Sequence, residues 1–164
     1  MSEMTDDLLQ HGFRYAYSLC HQQADAEDLL HDAWLKLSVG DKTISRGLLF
    51  TCIRHLFIDK YRRDNLINID IDLQISELPM NDVSFESPVS TDALQQALSL
   101  LRPAEREILF LHSVEEYTAA EIAQLTQSNR GTILSSLFRS KRKLKKLLSS
   151  QYRAAIDSAS GEGL

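Results

Sequence analysis

Apolar residues return every three or four positions along most of this chain, and wherever that spacing holds it predicts a helix. Leu9, Phe13, Ala16 and Cys20 repeat in this way after Thr5-Asp6-Asp7, whose short oxygen-bearing side chains suit a helix cap. A second stripe of Ala26, Leu29, Leu30, Ala33 and Leu37 runs through ADAEDLLHDAWLKL and leaves Asp28, His31, Asp32 and Leu35 on the other side. A third helix is predicted from about Arg46 to Arg63. Leu49, Cys52, Ile53 and Leu56 form its inward stripe, while Phe50, Arg54, Ile58, Tyr61 and Arg62 face out. The pattern then fails across 66–91, where Pro79 and Pro88 interrupt a stretch rich in Ser and Asn. Ile67, Ile69 and Ile71 alternate there as a short strand would, but the apolar residues are too scattered to bury much surface, so the segment reads as a tether.

Helical spacing resumes with Thr91 as cap and Leu94, Ala97, Leu98 and Leu101 behind it. Pro103 suits the first turn of the next helix, where its missing N–H costs nothing, and Ile108, Leu109 and Leu111 give that helix an apolar side. Thr118-Ala-Ala-Glu121 is a capping box for a short helix containing Ile122, Ala123 and Leu125. The polar turn Thr126-Gln127-Ser128 leads to Asn129 as cap of a long helix reaching about Ser149, lined by Ile133, Leu137, Leu144 and Leu148. A short helix, a tight turn and a long helix make a helix-turn-helix outline. The expected fold class is all-α: two small helical domains, 1–65 and 92–150, joined by the linker 66–91 and followed by a tail, 151–164.

Composition changes this picture little, but charge changes it a good deal. The chain has 164 residues, six Gly and three Pro, which is ordinary for a helical domain or two. Cys20 and Cys52 make no disulfide framework or CxxC pair, the start of the chain has no apolar leader, and no apolar run nears the roughly 20 residues that cross a bilayer. These features predict a cytoplasmic location without membrane insertion. Cys52 and His55 lie three apart, a spacing metal ligands can use, but Cys52 belongs to the inward stripe and no second ligand pair accompanies it, so neither metal nor cofactor is expected. The net charge of −5 is unevenly spread. Residues 41–65 hold six Lys or Arg against three acids, and residues 132–164 hold seven against two. Between them, residues 66–92 hold six acids and no base. Two cationic stretches separated by an acidic one are the footprint of nucleic-acid and partner-binding surfaces.

On these residues the chain resembles the extracytoplasmic-function (ECF) group of bacterial RNA polymerase sigma factors. ADAEDLLHDAWLKL with LLFTCIRHLFIDKYRR resembles region 2 of that family, and LRPAEREILFLHSVEEYTAAEIAQLTQSNRGTILSSLFRSKRKL resembles region 4. The resemblance implies a promoter reader without chemistry or small-molecule substrate of its own. It implies a region 2 that docks on the polymerase clamp helices and captures the melted −10 strand, and a region 4 that reads the −35 duplex and holds the flap. Carried over by position, Asp25, Glu27, Asp28 and Asp32 match the clamp-binding motif, with Leu35 as its apolar centre. Arg54, His55, Lys60, Tyr61, Arg62 and Arg63 match the −10-facing part, where cations serve phosphates and flat rings serve bases; Phe50 joins Tyr61 as a stacking candidate, with a place at the edge of the core as its equal alternative. Asn129, Arg130, Thr132, Ser135, Ser136 and Arg139 occupy the start of the recognition helix, with Arg142 among the phosphate-facing cations that follow. An anti-sigma factor that buries both regions is a further partner the resemblance implies.

The chain also departs from the family. The usual turn glycine is Gln127 and the usual apolar turn residue Ser128, while Leu134 and Ser136 stand where basic residues are frequent. His55 replaces a frequent Asn and Leu48 a frequent Trp. Altered −35 reading follows, with Leu134 and Phe138 meeting thymine methyls or a protein partner. Two other functions stay open: a stand-alone helix-turn-helix regulator, which would bind promoter duplex without polymerase, and a protein-binding adaptor that has lost promoter readout.

Overall fold

The computed structural model describes residues 2–40, 42–65 and 90–160. They form seven α-helices and no strand: α1 (Ser2–Cys20), α2 (Gln23–Ser38), α3 (Arg46–Asn65), α4 (Thr91–Ser99), α5 (Pro103–Ser113), α6 (Ala119–Thr126) and α7 (Arg130–Ser160). The expected all-α class holds. The tether, with its Ile67–Ile71 alternation, lies outside the described residues.

The first three helices form one bundle. Tyr15, Ala16 and Leu19 of α1 are buried against Ala26, Leu29 and Ala33 of α2 and Leu49, Phe50 and Ile53 of α3. The buried stripe of α1 therefore runs through Gly12, Tyr15, Ala16 and Leu19 rather than Leu9, Phe13 and Cys20, which are only half-buried. Gly12 shows how closely the helices approach: a Cβ there would stand 2.7 Å from Leu30 Cδ1 and 2.8 Å from Leu49 Cδ2. Thr5-Asp6-Asp7 does not cap α1, because the helix already runs from Ser2 and continues through them.

The second unit is built from α4 to α7. Ser90, not Thr91, caps α4: its hydroxyl accepts the Ala93 N–H at 3.2 Å. Pro103 takes the first position of α5, and the capping box of α6 is complete, with Thr118 N–H on Glu121 Oε2 at 2.8 Å and Glu121 N–H on Thr118 Oγ1 at 3.2 Å. The long helix outruns its expected end near Ser149 and continues to Ser160 through a stretch without Gly or Pro. Much of the expected tail is thus helical.

The helix-turn-helix corner turns on Gln127, whose φ of 54° is left-handed. The Ser128 N–H closes the turn on the Ala123 carbonyl at 2.9 Å. A side chain costs about 1–2 kcal/mol in that region, partly offset by the extra freedom glycine has when unfolded. Gln127→Gly is expected to stabilise the fold by about 0.5–1 kcal/mol, read as a rise of ~2 °C in the thermal midpoint. An unchanged midpoint would show that Gln127 is unstrained.

The two units are packed together, α1 lying against α5. That contact is polar at its centre, through Arg106, Glu107 and, just beyond α5, Glu115, all buried and all bonded to α1.

Candidate functional site

The acidic face of α2 is where its helical pattern placed it. Ala26, Leu29 and Ala33 point into the bundle, so Glu27, Asp28, His31 and Asp32 are exposed one turn apart, and Leu35 remains 53% exposed beyond them. Asp28, Leu29 and Asp32 share a shallow cleft of about 380 Å³ with Lys60, Arg63 and Asp64 at the end of α3. Asp25 is engaged differently. It accepts from Lys60 Nζ at 2.9 Å, and this hydrogen bond raises the lysine's pKa above its ordinary value. Two residues expected to face different partners thus pair with each other, tying α2 to α3.

Two of the −10 candidates on α3 are not where their spacing predicted. Phe50 is fully buried and stacks on Tyr15 with ring centroids 4.4 Å apart, so it is a core residue and no platform for a base. Tyr15 belongs to α1, and Tyr117, between α5 and α6, brings its ring within 6.2 Å of Phe50 as well. Arg54, expected to face solvent, is covered too: its Nε donates to Glu107 Oε1 of α5 at 2.9 Å. His55, Arg62 and Arg63 are exposed, and Tyr61 is 37% exposed beside Phe57. The accessible cationic surface is therefore the C-terminal end of α3.

On α7, Asn129, Arg130, Thr132 and Ser135 are exposed and Arg139 is half-buried. Ser136 is the exception. It is 3% exposed, on the side of Ile133, Leu137 and Ser140, and its hydroxyl is buried without a hydrogen-bond partner. A rotation of about 100° per residue carries position 136 toward the core, so it cannot face a base. Arg142 is half-buried, with Nη2 enclosed.

The polar seam between the units went unread in the sequence. Arg106 sends its guanidinium into the carbonyls at the end of α1, Nε to Ser18 O at 2.8 Å and Nη2 to Leu19 O at 2.9 Å, while Nη1 donates to the Leu98 and Leu101 carbonyls. Glu107 accepts from Tyr15 Oη at 2.6 Å and from Arg54; burial pushes its carboxyl above the ordinary range, against the pull of Arg54 and Tyr15. Burial, reinforced by Glu107, likewise raises the Tyr15 phenol well above its usual value. Glu115 takes His11 Nδ1 at 2.6 Å and Arg46 Nη1 at 3.2 Å. Burial works to raise Glu105 also, but the Arg102 N–H and Lys143 Nζ outweigh it and hold the carboxyl below its ordinary value. The available signal was the triplet Glu105-Arg106-Glu107 between Leu101 and Ile108, charge placed where an apolar stripe runs.

Residues 4–66 match the family description Sigma-70 region 2, and residues 91–144 match Sigma-70, region 4. The chain is 26% identical over 148 residues to the RNA polymerase sigma factor YlaC of Bacillus subtilis, a match covering 80% of this chain and 82% of that protein. It is also 26% identical over 157 residues to the ECF RNA polymerase sigma factor SigE of Mycolicibacterium smegmatis, covering 90% of this chain and 61% of that one. Among solved structures it is similar in fold to the sigma factor RpoE of Bartonella quintana, determined in complex with the anti-sigma factor NepR. The TM-score is 0.66 at 22% identity, over 91% of this chain and 98% of that one. No helix among the described residues is long and apolar enough to cross a membrane.

Proposed function

We infer the task of this chain from one premise: it belongs to the sigma-70 family of RNA polymerase sigma factors, through regions 2 and 4. It is an ECF-type sigma factor that directs core polymerase to promoters for transcription initiation. The observation that carries this reading is the occurrence of both regions in order on one chain, each with an exposed charged face that its own packing does not use. As a factor acting with polymerase on DNA it works in the cytoplasm and does no chemistry itself.

The parts divide as follows. The α2 face of Glu27, Asp28 and Asp32 around Leu35 docks on the polymerase clamp, with Asp25 bracing α2 on α3 through Lys60. His55, Tyr61, Arg62 and Arg63 meet the unpaired −10 strand, the ring offering a stacking surface and the guanidinium groups serving phosphates. The start of α7 enters the −35 major groove with Asn129, Arg130 and Thr132 leading. Arg54 cannot hold a phosphate while it holds Glu107, so −10 capture by Arg54 requires α5 to move away from the first bundle. Bartonella quintana RpoE, of similar fold, was solved bound to an anti-sigma factor. We extend that class of partner to this chain, with the packed arrangement as the form it would bind.

Run-off transcription with purified core polymerase on genomic fragments tests the reading. Initiation from discrete sites that depends on this chain is the expected result. Strong binding of promoter duplex by the free chain, with no effect on core polymerase, would make it a stand-alone regulator instead. Arg62→Ala with Arg63→Ala is expected to leave core affinity unchanged and lower open-complex formation at least tenfold, since a hydrogen bond to a charged group is worth about 1.5 kcal/mol or more. Permanganate footprinting of unpaired thymines reads that outcome.

A further inference from the structure

We propose that Leu134 and Phe138 read thymine 5-methyl groups in the −35 major groove, so that this chain recognises part of its promoter by apolar contact. The inference rests on region 4 binding duplex DNA, as above, and deepens it.

Leu134 and Phe138 lie one turn apart on α7, 43% and 55% exposed. Ile133, Ser136, Leu137 and Ser140 take the buried side, where α7 packs on α4, α5 and α6. The pair therefore projects outward, one to two turns past the leading residues Asn129, Arg130 and Thr132. The polar side chains between them have little left to donate. Ser135 donates its hydroxyl to the Gly131 carbonyl at 3.0 Å, and Ser136 is buried. What this stretch of helix presents to a groove is two hydrophobic side chains beside the Ser135 hydroxyl oxygen. At Gly131 an added Cβ would meet nothing within 4 Å, so the ground before them is open.

Charge identifies the occupant. Residues 130–150 carry seven Lys or Arg and no Asp or Glu, Arg130 before the apolar pair and six cations after it, of which Lys143 is held by Glu105. That distribution fits a polyanion. Within the major groove the thymine C5-methyl is the apolar group on offer, and contact with an apolar side chain is how it is read. A minor-groove placement would offer the pair no methyl.

Holoenzyme reconstituted from this chain and core polymerase, on a promoter recovered by run-off transcription, provides the test. Thymines of the −35 element are replaced singly by deoxyuridine, which keeps every hydrogen-bonding group and removes only the methyl. At contacted positions the substitution is expected to weaken −35 protection about fourfold per methyl, the worth of one buried methylene-sized group. Holoenzyme carrying Leu134→Ala and Phe138→Ala is expected to bind the thymine duplex correspondingly less well and to be indifferent to deoxyuridine. The proposal is overturned by a −35 element without thymine, by a wild-type holoenzyme indifferent to the methyl, or by a double variant that keeps its methyl dependence. It is equally overturned if the double variant protects −35 normally and instead loses affinity for a purified polymerase subunit or anti-sigma protein. Failure of the wild-type chain to initiate on any fragment would instead strike the sigma-factor reading, so the two failures stay separate.

Discussion

Asp28→Lys combined with Asp32→Lys is expected to cut the affinity of this chain for core RNA polymerase by about a hundredfold or more. Both carboxylates are exposed on α2, one turn apart, and the buried side of that helix is carried by Ala26, Leu29 and Ala33, which the substitutions do not touch. Two charge reversals change the charge of this face by four units, from −2 to +2, and like-charge juxtaposition at an interface costs several kcal/mol. Leu35, 53% exposed, would offer such an interface apolar area but little orientation, and is not expected to hold it alone. Asp28 and Asp32 also face Lys60 and Arg63 across the cleft, so reversal adds some strain within the first bundle. The neutral pair Asp28→Asn with Asp32→Asn separates the two effects: it is expected to keep the thermal midpoint and still lose most of the affinity. Asp25 makes a poorer probe, since its reversal would break the Lys60 pair inside the molecule. Binding measured by competition for core polymerase, with the thermal midpoint recorded alongside, checks the prediction. Normal co-purification of a folded Lys pair with core would remove the docking role from α2.

Arg106→Ala is expected to destabilise the fold by about 3–5 kcal/mol and to loosen α5 from α1. Its guanidinium is buried and satisfies carbonyls of Ser18 and Leu19 at the end of α1, together with those of Leu98 in α4 and Leu101 just past it. Each of these is a hydrogen bond to a charged donor, and truncation leaves buried acceptors without partners, a cost of about 1–3 kcal/mol each before relaxation and water entry. Burial holds the Arg106 pKa below the usual value for arginine, and a guanidinium in a protein stays charged. Arg106→Lys is expected to recover only part of the loss, because a single ammonium cannot fork among carbonyls on two helices. A fall of roughly 10 °C in the thermal midpoint would register the alanine variant. A shift of 2 °C or less would mean that water replaces the guanidinium without penalty.

How far the molecule was legible varies with the physics involved. The capping box at Thr118, the proline start of α5, the inward stripe of α2 and the apolar pair on α7 are local matters, decided within a turn or two of backbone, and spacing sufficed for them. Leu35 was rightly read as exposed for the same reason: its neighbours on the buried side were already accounted for. Arg54 was misread because its partner, Glu107 of α5, stands some fifty residues away in sequence, and Phe50 because Tyr15 of α1 and the distant Tyr117 close over its ring. Ser136 failed more simply. A serine in a recognition helix looks like a polar contact, yet its angle on the helix groups it with Ile133 and Leu137.

The amino-acid sequence by itself determined the helices, most of their inward faces, the separation of charge and the membership of the family, because these depend on periodicity and residue chemistry that neighbours a few positions apart can express. The tertiary structure alone decided which charged groups are free to meet a partner. Arg106, Glu107 and Glu115 are buried where residues from α1 and α3 satisfy them, Glu105 is held by Arg102 and by Lys143 of α7, and Arg54 and Asp25 are occupied because Glu107 and Lys60 reach them from other helices. A charge is available or spent according to what stands within about 3 Å of it, and that distance is set by the packing of elements remote along the chain.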